Sequence, residues 1–192
     1  MKRNYLILIV FLLICGCDLL STRDAEPPGN ARSNYQSPVT PELVIENLIN
    51  SFKDQNIENY ISCFANPSFS EKGFLFIPSS GATAQFPSLA EEWDLKDEDQ
   101  YFRNMISKVP SEQSITLLFS DEEFRPFGDT LIFAAGYTLN VPHNQADLPT
   151  NFKGEVRFSM IRDSRSFWSI YYWQDNKNSI TASWSELKGR FY

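Results

Sequence analysis

The order of hydrophobic periods along the chain predicts an α+β domain. Apolar residues recur at helical spacing in the first half, strict two-residue alternation takes over in the second, and turn residues separate the runs. Helices first and a long antiparallel meander afterwards is α+β order, not the alternation of a parallel α/β sheet.

Each element has its own signal. Thr40-Pro41-Glu42 opens the first helix, with Thr40 as N-cap, Pro41 in the first turn and an acid beside it. Val44, Ile45, Leu48, Ile49 and Phe52 follow at helical spacing. A second, short helix begins at Asn56, carries Ile57, Tyr60, Ile61 and Phe64, and stops at Asn66-Pro67. A third is expected to start on Asp97, with Gln100 completing a capping box; its apolar side is Tyr101, Phe102, Met105, Ile106 and Val109, and Pro110 ends it. From Phe152 to Met160 the even positions are apolar or glycine and the odd ones polar, a half-buried strand. After a turn at residues 163–166, Phe167 to Gln174 forms another, with Trp168, Ile170 and Tyr172 on one face and Ser169, Tyr171 and Trp173 on the other. Ser114 to Ser120 and Thr130 to Val141 make two more strands, and Phe74 to Ile77 a short one.

The chain has 192 residues and a net charge of −7, too acidic for a nucleic-acid partner, which needs a clustered basic face. Its hydrophobic share of 42% excludes a disordered or fibrous chain.

The first seventeen residues are of a different kind. Lys2 and Arg3 precede an apolar run from Tyr5 to Ile14, closed by Cys15-Gly16-Cys17. That is the layout of a secretory signal peptide. The run is too short for a transmembrane helix, which needs about 20 apolar residues. Ile14-Cys15-Gly16-Cys17 resembles a bacterial lipobox, in which an aliphatic residue, a small or aliphatic residue and a Gly, Ala or Ser precede a lipid-modified cysteine. Cys15 is a less usual residue for the second place. The resemblance implies that residues 1–16 are removed, that Cys17 is lipidated, and that the protein is anchored in a bacterial cell envelope; ordinary secretory cleavage is the competing reading. Several acyl chains anchor far better than one, at about 0.8 kcal/mol per buried CH₂. Loss of Lys2 and Arg3 moves the net charge from −7 to −9. With Cys15 gone and Cys17 acylated, Cys63 has no disulfide partner and reads as a buried, inert thiol between Ile61 and Phe64. Residues 17–38 comprise the lipidated cysteine and a Pro-, Ser- and Asn-rich tether with a reach of about 25 Å. The folded domain is residues 39–192.

A helix pair, a short strand, a third helix and long antiparallel strands together resemble the nuclear transport factor 2-like fold. The resemblance implies a strongly curved sheet wrapped around the first helix as a cone. Glu42-Leu43-Val44, Asn59-Tyr60, Cys63-Phe64, Trp93, Arg103-Asn104-Met105 and Ser183-Trp184-Ser185-Glu186-Leu187-Lys188 are similar to pieces of bacterial lipoproteins with such a domain, a group with no defined activity to lend.

Enzymes of this fold, such as steroid isomerases and scytalone-type dehydratases, place an Asp or His base and Tyr or protonated-acid donors in the cone mouth. That chemistry needs a group whose pKa is tuned by an apolar pocket. The interior candidates here are Tyr60, Trp93, Tyr101, Asp121, Tyr137 and His143, and none aligns with a catalytic motif of the fold. His143 reads as a solvent-facing loop residue with no ligand set beside it. The acidic run Glu91 to Asp99 lacks the glycine and ligand spacing of a calcium loop and reads as a solvated face capping a helix. Tyr171 and Trp173 share a strand face, which is expected either to pack on the first helix, to line an apolar ligand cavity, or to form the sheet face of a homodimer. The resulting expectation is a membrane-anchored lipoprotein that binds a small apolar ligand or an envelope protein without catalysis, metal or cofactor. Its pocket candidates are Tyr60, Trp93, Tyr101, Asp121, Tyr137, Tyr171 and Trp173. The alternative is a dehydratase- or isomerase-type enzyme acting on a small molecule in the cone.

Overall fold

A computed structural model describes residues 34–146 and 148–192. The expected signal peptide, Cys17 and most of the expected tether lie outside the described residues. No described helix is long and apolar enough to cross a membrane.

Helix α1 (Pro41–Lys53) starts at the expected place, with Pro41 in its first turn and Thr40 at the N-cap position in extended backbone, its side chain making no capping hydrogen bond. It buries Val44, Ile45, Leu48 and Phe52, together with Asn47 and Ser51. Asn47 is satisfied by the chain that precedes the helix: it accepts from Gln36 N at 2.9 Å and donates to Gln36 O at 2.6 Å. Pro38 O accepts from Trp168 N. The last residues of the expected tether are therefore hydrogen-bonded to the folded body. Helix α2 (Ile57–Ile61) is capped by Asn56, whose side chain accepts from Asn59 N.

Strand β1 (Leu75–Ile77) is followed by helix α3 (Ala82–Gln85) and a 3₁₀ turn at Pro87–Ala90. Helix α4 (Leu95–Ile106) has its N-cap at Asp94, three residues before the expected cap at Asp97. Asp94 accepts from the backbone of Lys96 and Asp97, while the Asp97 side chain accepts from Asp94 N, a reciprocal box that Asp97 and Gln100 do not form. Asp97 is the third helical residue. The earlier start leaves Glu98 on the buried face with Tyr101, Phe102 and Met105.

The long strands β2 (Thr116–Phe127), β3 (Thr130–Asn140), β4 (Asn151–Arg162) and β5 (Trp168–Asn176) form one sheet, in the order β1-β5-β4-β3-β2. All neighbours are antiparallel except β1, which runs parallel to β5. The clean alternation expected for β4 is observed: Phe152, Gly154, Val156, Phe158 and Met160 face the core. Two bulges bend the sheet around the helices. In β2 the register shifts between Ser120 and Glu123, with Asp121 in left-handed backbone at φ 53°. In β5 it shifts at Tyr171, because Met160 pairs with Ile170 and Ser159 with Tyr172. One extra residue inverts the alternation, so Ile170 and Trp173 both face inward. The expected grouping of Tyr171 with Trp173 on one face fails for that reason.

The chain ends in helix α5 (Trp184–Phe191), which the strand-dominated reading of the C-terminal half did not anticipate. Ser183 and Glu186 form its capping box, and Trp184, Leu187, Lys188 and Phe191 are buried. Opposite Gly154 stands Tyr137, its cross-strand partner. A Cβ at Gly154 would lie 2.6 Å from the Asn176 carbonyl and 2.7 Å from the Tyr137 hydroxyl. Gly154→Ala should therefore lose about 1–3 kcal/mol through overpacking, read as a lower urea midpoint by circular dichroism. An unchanged midpoint would show that Tyr137 is not tightly held.

Candidate functional site

The interior enclosed by the sheet is built around one carboxylate. Glu98 is fully buried, and so is the ammonium that faces it, Lys188 from α5. Lys188 bonds both carboxylate oxygens. Tyr60 donates its hydroxyl to Oε1, and the Trp93 indole N–H reaches Oε2 at 2.7 Å. A carboxylate offers about four acceptor positions, and these contacts occupy them. Four rings surround the ammonium: Trp173 at 4.0 Å, Phe76 at 4.3 Å, Tyr101 at 4.8 Å and Trp93 at 5.2 Å from the centroids. Burial pulls Lys188 down to about 8, against the opposing pull of Glu98.

A second polar cluster ties the start of α5 to β5. Asp175, inward-facing and buried, accepts from the Ser185 backbone N–H at 2.8 Å and from the Ser185 hydroxyl. Its other oxygen accepts from the Tyr137 hydroxyl at 2.8 Å, and the same Tyr137 oxygen accepts from Trp184 N at 2.7 Å. Burial raises the Asp175 carboxyl, opposed by the hydrogen bonds from Ser185 and Tyr137. The Trp184 indole donates to the Tyr101 hydroxyl at 3.1 Å, which connects the two clusters. Phe52, Tyr60 and Phe102 close the side toward α1, with Tyr60 and Phe102 stacked at 3.8 Å between centroids.

Of the seven pocket candidates, Tyr60, Trp93, Tyr101, Tyr137 and Trp173 converge in this interior, each nearly or wholly removed from solvent. Asp121 lies at the β2 bulge on the surface. Tyr171 is half-buried outside the core, beneath the Lys72 ammonium at 4.2 Å. A shallow cleft of about 560 Å³ lies on the sheet over Gly136, with Glu123, Lys153, Glu155 and Arg157 at its walls and Tyr137 also in its lining. His143 is buried, contrary to expectation. Its Nδ1 accepts from Gln145 N, its Nε2 lies 3.2 Å from Pro149 O, and its ring rests on Phe191 of α5. Cys63 is buried as expected, and burial pushes its thiol up. Among the described residues, no group of three His, Cys, Asp or Glu could hold a metal ion.

Glu98, Lys188, Asp175 and Ser185 are not among the site residues expected from the sequence. Glu98 hides inside an acidic run, although its spacing to Tyr101, Phe102 and Met105 marks it as core-facing. Lys188 sits at helical spacing from Trp184, Leu187 and Phe191, behind the Ser183–Glu186 capping signal.

No protein-family model and no curated protein sequence matches the chain. Solved structures do match its fold. A conserved protein from Planctomyces limnophilus aligns over 70% of this chain and 91% of its own, with TM-score 0.55 and 8% identity. A nuclear transport factor 2-like superfamily protein from Salmonella enterica aligns over 72% and 89%, with TM-score 0.53 and 10% identity. A ketosteroid isomerase-like protein from Erwinia carotovora aligns over 75% and 98%, with TM-score 0.50 and 9% identity. The chain thus has the nuclear transport factor 2-like α+β fold, and likeness at this identity speaks to fold alone.

Tyr60, Tyr101 and Tyr137 are held well above the ordinary tyrosine range, chiefly by burial and then by the charge of Glu98 or Asp175. A pKa raised on folding stabilises fully below the unfolded value, about 10, and that stability is lost as pH climbs above it. Ultraviolet titration should show these three of the eight tyrosines ionising only together with unfolding. Ionisation of all eight before the fold is lost would contradict the buried clusters.

Proposed function

We propose that this chain is a lipid-anchored protein of the bacterial cell envelope whose domain is a binding module for a small apolar ligand or an envelope protein, without catalysis. The anchor reading is supported by Ile14-Cys15-Gly16-Cys17 behind a basic and then apolar start. The non-catalytic reading is supported by one observation: the centre of the cone is filled. Tyr60, Trp93, Tyr101, Trp173 and Trp184 occupy it around Glu98 and Lys188, all nearly or wholly removed from solvent. A general base must reach the proton that it takes. Glu98 has its acceptor positions taken by Tyr60, Trp93 and Lys188. Asp175 is likewise engaged with Tyr137 and Ser185. The ketosteroid isomerase-like name of one structural neighbour belongs to that protein and brings no reaction to these residues.

Metabolic labelling with palmitate tests the anchor. Wild type should incorporate label and fractionate with membranes, and Cys17→Ser should do neither. Equal labelling of the two would refute it. Binding is tested by extracting the protein from solubilised envelope and identifying by mass spectrometry what co-purifies, lipid included. A stoichiometric companion is expected, and recovery of the protein alone counts against the module reading.

A further inference from the structure

The contact between Glu98 and Lys188 has the form of a ligand in its site. Four aromatic rings stand around the Lys188 ammonium, from Trp173 at 4.0 Å to Trp93 at 5.2 Å, and one carboxylate meets it. Rings arranged around a single cation are also how proteins recognise free organic ammonium compounds. Apolar side chains in place of such a pair are often neutral or stabilising, because no charge then leaves water. A buried ion pair is thus a weak means of attaching a helix and a specific means of selecting a cation.

Trp184, one turn before Lys188, fills a second place beside the first. Its ring lies 5.4 Å from that of Phe52, and its indole N–H reaches the Tyr101 hydroxyl at 3.1 Å. Both places border Trp173, whose ring centroid is 4.6 Å from the Trp184 ring and 4.0 Å from the ammonium. A small molecule that carries one ring and one ammonium reproduces what α5 puts there.

α5 is suited to giving up these places. It has eight residues, too few to persist as a helix away from its neighbours. Residues 177–180, which lead to it from β5, are exposed. Its first backbone N–H groups are held by Tyr137 and Asp175, and water satisfies such groups when a helix withdraws. On the segment that carries Trp93, the exposed Glu91, Glu92 and Asp94 outnumber Lys96, so the approach is negative and concentrates cations. Tyr192 covers Trp93 from that side, 4.7 Å between ring centroids, with its hydroxyl on Asp97.

We propose that the ring-lined site at Glu98 binds a small organic ammonium carrying an aromatic ring, and that Lys188 and Trp184 hold it as an intramolecular competitor. The ligand sets its ammonium on Glu98 among Phe76, Trp93, Tyr101 and Trp173 and its ring in the place of Trp184, and α5 is displaced. The site rests on the reading of the domain as a binding module and gives the apolar ligand of that reading one positive charge.

The test is a titration of the full chain in detergent micelles with 2-phenylethylammonium and, in parallel, with 2-phenylethanol, which has nearly the same shape and no charge. Binding is read from the indole signals of nitrogen-15 NMR, and the state of α5 from hydrogen exchange of residues 184–191. The cation should bind saturably and about tenfold more tightly than the alcohol, and should speed exchange of α5 about threefold or more while β3 and β4 stay protected. Two variants loosen α5 yet should move affinity in opposite directions. Lys188→Met removes the charge of the competitor and should tighten binding about tenfold; Glu98→Gln removes the partner of the cation and should weaken it about tenfold. A merely structural pair would move both the same way. Equal affinity for the alcohol, exchange of α5 unchanged or slowed at saturation, or affinities that shift together in the two variants overturns the site. The two probes on the wild type suffice where a variant fails to fold. No saturable binding at millimolar cation also overturns the site, and a stoichiometric companion in the envelope co-purification then leaves the module reading standing.

Discussion

The structure depends most on the ion pair between Glu98 and Lys188. Neither charge reaches solvent, and bringing two ions out of water costs several kcal/mol apiece unless the geometry is near complete. Here it is complete. The carboxylate is saturated by Tyr60, Trp93 and Lys188, and the ammonium is enclosed by the faces of Phe76, Trp93, Tyr101 and Trp173. The partners come from α2, α4, α5, β1 and β5 and from the loop before α4, so one contact constrains most of the fold. It joins residues 90 positions apart and brings the C-terminal helix onto the domain.

Asp175 does the same work at the other end of α5. It holds the helix start through Ser185, and Tyr137 serves as acceptor for Trp184 N while donating to Asp175. The two clusters meet where Trp184 donates to Tyr101. In a cone-shaped fold, the same interior that can hold a substrate can instead be filled by the chain itself. Here α5 contributes Trp184, Leu187 and Lys188 to that interior, all fully buried. The groups that a sequence reader would nominate as donors and bases are spent on holding a helix in place.

Much of this architecture was legible from local signals. The helix start at Thr40-Pro41, the alternation from Phe152 to Met160 and the apolar stripe through Tyr101, Phe102 and Met105 each stand in the structure as read, because each is decided by neighbours in sequence. What was not legible depends on distant partners. The bulge at Tyr171 is set by the register against Ser159 and Met160, and it alone turns Trp173 inward. Glu98 looked like one more acid in a solvated run, because only Lys188, far along the chain, makes its burial tolerable. His143 looked exposed because the ring that covers it, Phe191, belongs to a helix hidden behind strand-like neighbours. The Ser183–Glu186 capping box was the local sign of that helix.

The central claim is that Glu98 and Lys188 act as one unit that closes the fold. A double-mutant cycle on urea unfolding, with Glu98→Gln, Lys188→Met and the two combined, tests it most directly. Each single change should cost about 3–5 kcal/mol, since it leaves the other charge buried without its partner, and the double variant should cost clearly less than the two added together. Strictly additive losses, or singles that unfold at the wild-type midpoint, would contradict the account.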